Sequence, residues 1–160
     1  MALPLMYQDL YKPVYACKFH NSFPLAYIPP LAATLTTRLH SHTHVYNPNW
    51  PPHARFHNGQ TMSTGLACGL SSLYFLHKRP SPSSTPAYNL NIALFLIHLY
   101  FLASLSGGLY PGARFMDPEF GAETDRPQIL GFGGILGISW VGWWCVRRGL
   151  VKGVGKGKGR

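Results

Sequence analysis

Tyr88–Gly108 reads YNLNIALFLIHLYFLASLSGG, a stretch without one Asp, Glu, Lys or Arg. A helix needs about 20 predominantly apolar residues to cross the hydrocarbon of a bilayer, and this run has the length and the composition. The next uncharged run downstream is Gln128–Val146, QILGFGGILGISWVGWWCV, which closes on Trp140, Trp143 and Trp144 just before Arg147 and Arg148. Aromatic rings followed by cations mark the boundary between lipid and water. Upstream, Thr61–His77 is shorter and rich in Gly, Ala and Ser, residue types that let helix backbones approach closely in lipid. Two cations and a helix breaker, Lys78-Arg79-Pro80, stop it, and the linker Ser81-Pro82-Ser83-Ser84-Thr85-Pro86 follows. A fourth stretch, Phe23–Thr37, contains Pro24, Pro29 and Pro30 and reads as a kinked first span.

These runs predict an all-α integral membrane bundle of about four transmembrane helices, at about 23–37, 61–77, 88–108 and 128–146. An N-terminal extension, 1–22, precedes the membrane domain 23–148, and a disordered basic tail, 149–160, follows it. The composition agrees. Only 12% of the 160 residues are charged, against about 25% in a soluble domain. A chain of this length is too short for a multi-domain enzyme, a long repeat array or a two-lobed nucleotide-binding architecture. Cys17, Cys68 and Cys145 are too few and too scattered for a disulfide framework and form no Cys-x-x-Cys pair. The apolar opening Ala2–Met6 is followed at once by Gln8, Asp9 and Lys12, so no cleaved signal peptide is expected.

Charge sets the orientation. With four spans, Lys12, Lys18, Lys78, Arg79 and the six cations from Arg147 to Arg160 share one side, while Arg38, Arg55, Arg114 and Arg126 take the other. The positive-inside tendency therefore puts both termini in the cytoplasm, in either the endoplasmic reticulum or the plasma membrane. The tail GLVKGVGKGKGR alternates glycine with cations. It buries nothing, suits an anionic lipid surface, and lacks the interleaved aromatics of a nucleic-acid binder. Membrane lipid is the expected partner and nucleic acid is not.

Chemistry concentrates in two loops and one span. Five of the eight histidines fall between His40 and His57. If a helix begins at Pro52, His53 and His57 stand one turn apart on one face, the spacing at which two imidazoles can share a metal ion. Further ligands would come from His40, His42, His44, Asp117 or Glu119. The plainer reading makes these histidines polar interfacial residues, with Arg55 pairing an anionic lipid or Asp117. His98 lies mid-span, where a polar side chain faces a cavity or another helix; Asn89, Asn91 or Ser104 would be its structural partner. Gly131-Phe132-Gly133-Gly134 follows no strand and precedes no Lys-Ser/Thr, so close helix packing explains it better than a phosphate loop.

Asn47–Ser63, NPNWPPHARFHNGQTMS, together with Tyr110-Pro111-Gly112 and Asp117-Pro118-Glu119-Phe120, resembles the signature of a mostly fungal family of small multi-pass membrane proteins carrying a domain of unknown function. The resemblance covers about residues 30 to 148. It implies a membrane fold of about four helices and supplies no reaction. Such proteins occur beside secondary-metabolite enzymes, so the resemblance admits a biosynthetic role. The size is also similar to that of the anthrone-oxygenase type of membrane protein, with no motif in common.

The leading functional expectation is a tailoring enzyme of the oxygenase or isomerase type acting on a hydrophobic small molecule. In it His53 and His57 serve as base or ligands and Arg55 steadies a developing oxyanion, while Asn58, Asp117 and His98 complete the site. The rival is a non-enzymatic membrane scaffold or transport accessory protein. The sequence assigns no cofactor, no particular metal and no oligomeric state. Alkaline carbonate extraction of microsomes is expected to leave the chain in the pellet, with a C-terminal tag open to protease from the cytoplasmic side. Release into the supernatant refutes the spans.

Overall fold

The structure, a computed structural model, describes residues 46–81, 83–115, 117 and 125–157, with side chains as far as 150. The expected first span, the N-terminal extension, His40, His42, His44 and Glu119 lie outside the described residues. Three helices follow in order: α1, Pro52–His77; α2, Pro86–Ser106, continued by a 3-10 turn at Gly107–Leu109; and α3, Arg126–Gly157. Among the described residues there is no strand, only an isolated bridge between Ser81 and Ser84.

Local chemistry sets the ends. Pro52 and Pro86 each open a helix, where a fixed φ is already helical and the missing N–H has no acceptor to lose. At α2 the Thr85 hydroxyl also accepts the Tyr88 N–H at 3.2 Å. α1 ends at His77; Lys78 turns extended ahead of Arg79-Pro80 while its N–H still reaches Tyr74 O at 2.8 Å. α3 runs on to Gly157, into the segment expected as a disordered arm. Lengthening an existing helix adds one bond per residue fixed, without a new nucleation cost, and no proline interrupts this tail.

α2 is the central element, with α1 and α3 antiparallel to it. At one end Leu76 of α1 and Leu90 and Ala93 of α2 pack with Trp143, Val146 and Leu150 of α3. Toward the other end Ile97 and Phe101 of α2 pack on Phe132, Ile135 and Leu136 of α3. α1 buries a narrow stripe, Gly65, Cys68, Gly69, Ser72 and Leu76, spaced three and four residues apart on one face. The stripe is small where it has to be: a Cβ on Gly65 would lie 2.6 Å from the Tyr100 ring. Polar bonds cross both seams, Ser72 Oγ donating to Ala93 O at 3.1 Å and Trp143 Nε1 to Asn91 Oδ1 at 2.8 Å. Asn89, 1% exposed, locks the linker by accepting from Ser84 Oγ and donating to Lys78 O.

The close packing expected at Gly131, Gly133 and Gly134 is not found. Among the described residues a Cβ on any of them meets nothing within 4 Å, because the α3 face turned to α2 carries Phe132, Ile135 and Leu136 instead.

Two helical stretches, Pro86–Leu109 and Arg126–Leu150, are long and apolar enough to cross a membrane. α1 is not among them, diluted by its Gly, Ser, Thr and His residues. Only 17% and 11% of the most apolar windows of the two stretches are buried, so Phe95, Leu99 and Leu102 of α2 and Leu130 and Val141 of α3 stay at least half exposed. The glycines separate packing from propensity. Gly131→Ala is expected to hold or raise the melting temperature in detergent, since Ala gains about 1 kcal/mol over Gly in a helix. Gly65→Ala is expected to lower it, because displacing Tyr100 costs about 1–3 kcal/mol.

Candidate functional site

The antiparallel order brings the start of α1, the end of α2 and the start of α3 together at one end of the bundle. Residues 46–51 form a turn that closes this end. Asn47, 3% exposed, accepts the Asn49 N–H on its own Oδ1 at 2.9 Å, a side-chain turn of the kind Asn favours. Its carbonyl accepts Arg55 Nη2 at 2.9 Å, and the same nitrogen reaches Pro48 O at 3.2 Å. Arg55 thus clamps the turn to the first turns of α1. It does not pair with Asp117, whose Oδ2 accepts from Trp50 Nε1 at 2.8 Å. That bond ties the turn to the loop between α2 and α3, and Asp125 Oδ1 ties the loop again by accepting the Phe115 N–H at 3.2 Å.

His53 and His57 lie on one face of α1, as their spacing predicts, with their Nε2 atoms 3.0 Å apart. His57 Nδ1 lies 3.3 Å from Gln60 Oε1. His98 is remote from them. Its Nδ1 donates to Leu94 O at 2.9 Å, its ring stands edge-on to Trp140 of α3, and its buried Nε2 has no partner. Asn89, Asn91 and Ser104, the neighbours expected for it, bond instead to the linker, to Trp143 and to Tyr100 O.

Between the three helices is a cavity of about 710 Å³. α1 lines it with Asn58, Gln60, Thr61, Met62 and Thr64, α2 with Leu99, Tyr100, Ala103 and Ser104, and α3 with Gln128 and Phe132. Gly107, Gly108, Arg114 and Phe115 close the loop side. Its hydroxyls are engaged: Thr61 donates to His57 O, Thr64 to Gln60 O and Ser104 to Tyr100 O. Its amides are not. Asn58 Oδ1 and Gln128 Oε1 are buried without a partner, a state that costs about 1–3 kcal/mol per group and that proteins seldom leave unanswered. Arg114 is the one charged side chain among the described lining residues.

Of the residues singled out in the sequence, the structure therefore brings Asn58 to the cavity, holds His53 and His57 as a separate exposed pair, uses Arg55 and Asp117 to fix the turn and the loop, and leaves His98 on the α2–α3 seam. Tyr100, Arg114 and Gln128 were not singled out. Gln128 had one signal, an amide opening an otherwise apolar run. A coupling of about 1 kcal/mol is expected between Trp50→Phe and Asp117→Asn in a double-mutant cycle on stability, with faster amide exchange at 110–117 in each single variant.

A family profile described as a family of unknown function, DUF6640, matches residues 25–153. No curated protein and no solved structure matches the chain.

Proposed function

The chain belongs to the DUF6640 family of unknown function, and from its geometry we propose that it is a membrane-integral protein that binds a hydrophobic small molecule in the cavity at the polar end of its bundle. The observation that carries this reading is the pair of unanswered amides, Asn58 and Gln128, in a cavity whose other walls include Leu99, Phe132 and Phe115. Its volume lies within the range of about 300–1,000 Å³ usual for ligand sites. An apolar body with a hydroxyl or other donor at one end fits: the body lies along the aromatic and aliphatic wall, and the donor meets the amide oxygens. Arg114 favours a ligand that also carries a carbonyl or a negative charge there.

Membrane integration is supported by the outward-facing apolar surface of the two long helices, which in water would be an exposed patch without purpose. The orientation is supported by cations at the far end. Lys78 lies over the Tyr74 and Phe75 rings, Arg147 over Trp143 and Arg148 over Trp144, the arrangement of a membrane–water boundary. That end and both termini are cytoplasmic in this reading, in the endoplasmic reticulum or plasma membrane, and the cavity lies toward the opposite face.

Binding is favoured over turnover because, among the described lining residues, Tyr100 alone could move a proton, and its ring is packed against Gly65. A carrier or accessory protein of a biosynthetic pathway is the role this supports. One observation favours the second reading, a tailoring oxygenase or isomerase: Gln60 lines the cavity and also faces His57, so the histidine pair stands near its rim.

The test is photolabelling of the protein in nanodiscs with a diazirine-bearing long-chain alcohol, mapped by mass spectrometry. Label is expected at 99–108 and 128–132, and it falls several-fold in Asn58→Leu/Gln128→Leu while a diazirine alkane is unaffected. Label confined to lipid-facing Phe95, Leu102 and Leu130 and indifferent to the variants refutes the cavity. Normal labelling of His53→Ala/His57→Ala with loss of a metabolite that the wild type produces in cells selects the enzymatic reading.

A further inference from the structure

We propose that His53 and His57 form a chelating pair for a divalent transition-metal ion, with Cu2+ the preferred occupant. The two Nε2 atoms already face each other, joined by a hydrogen bond, and a metal ion would take the place of the proton they share. Their Nε2 atoms are 3.0 Å apart; with metal–imidazole bonds of about 2.0–2.1 Å, that separation subtends roughly 95° at the metal. Such an angle suits the tetragonal coordination of Cu2+ better than the tetrahedron of Zn2+, and Cu2+ also heads the affinity order of the divalent first-row ions.

Tautomers point the same way. His57 Nδ1 faces Gln60 Oε1 at 3.3 Å. An amide oxygen only accepts, so His57 Nδ1 carries the proton and its Nε2 accepts from His53 Nε2–H; a metal ion binds once the His53 proton moves to its own Nδ1, which leaves both Nε2 lone pairs free. The bond to Gln60 is the outer-shell arrangement that orients metal-bound histidines, and it makes Gln60 a positioning residue. Phe56 holds both rings from the side, its centroid 6.2 Å from that of His53 and 5.3 Å from that of His57. Arg55, which stands between the two histidines in the sequence, points to the Asn47 and Pro48 carbonyls. The positive end of the helix opposes a cation here, but it acts as a fraction of a charge in solvent against two coordinate bonds.

No third His, Cys, Asp or Glu among the described residues completes a cluster. The pair therefore supplies two adjacent positions and leaves the rest of the coordination sphere to water or a ligand. The inference does not rest on the cavity reading, since neither histidine lines the cavity.

The experiment uses the full chain in detergent micelles, in a background with His40, His42 and His44 changed to Asn so that those imidazoles hold no copper. One equivalent of Cu2+ is expected to bind, with an electron paramagnetic resonance spectrum showing two equatorial nitrogens. His53→Asn or His57→Asn is expected to weaken binding about tenfold or more and remove one nitrogen coupling. Their melting temperatures stay at that of the background, because both side chains are exposed. Gln60→Leu is expected to weaken binding while keeping both couplings, as a positioning role requires. Absence of stoichiometric Cu2+ binding in the background protein, or binding indifferent to His57→Asn, overturns the proposal.

Discussion

The distance at which α1 can lie from α2 governs the polar end of this bundle. That distance is set where Gly65 meets the Tyr100 ring, with no room for a methyl group between them. Two backbones that approach so closely gain dispersion contacts along the whole seam and bring Ser72 within bonding distance of Ala93 O. Because α1 begins at Pro52 and α2 ends at Ser106, the same contact delivers Asn58, Thr61 and Thr64 to the side of Leu99 and Ala103. The cavity exists because the helices are close at Gly65, while beyond it toward α3 the seam is filled by Tyr100 and Phe132 rather than by a third backbone.

The turn at 46–51 shows what a motif of unusual residue types can be for. Asn47 is buried and Arg55 half-buried, and a polar group in such a place is costly unless its bonds are made. The Asn47 carbonyl answers Arg55 Nη2, though Arg55 Nε is buried without a partner among the described residues; the Asn47 amide answers Asn49, and Trp50 answers Asp117. Arg55 and Asp117, a guanidinium and a carboxylate expected from the sequence to belong to a site, hold two loops in place. The clamp leaves His53 and His57 outside it, free to act as a pair.

Much of the fold was legible in the sequence because the signals were local. The uncharged Tyr88–Gly108 run became α2 with Thr85 and Pro86 at its start, the proline at 52 opened α1 and put His53 opposite His57, and Lys78-Arg79-Pro80 ended it. What was not legible was rotation. In an uncharged run such as Gln128–Val146 no polar face marks the side turned to solvent, so the sequence did not separate Phe132, Ile135 and Leu136, which pack on α2, from Gly131, Gly133 and Gly134, which meet nothing among the described residues. The cavity was hidden for the same reason. Asn58, Tyr100, Arg114 and Gln128 come from three helices and a loop, and no spacing rule joins them. Asn89, Asn91 and Ser104, the structural partners the sequence offers for His98, each bond elsewhere, leaving the imidazole to its own helix and to Trp140.

The two ends of the bundle differ in kind. At one, cations lie over aromatic rings: Lys78 on Tyr74 and Phe75, Arg147 on Trp143, Arg148 on Trp144. At the other, Asp117 and Asp125 serve loop bonds and the imidazole pair stands exposed. A bilayer acts on such a difference, since its cytoplasmic leaflet attracts cations by about 1 kcal/mol each, whereas bulk water is indifferent to which end points where. In the membrane reading proposed above, the asymmetry favours one orientation of the bundle, and a ligand with an apolar body would reach the cavity from the lipid. The exposed Leu99 side chain is half in that path, at once part of the outer apolar surface and part of the cavity wall.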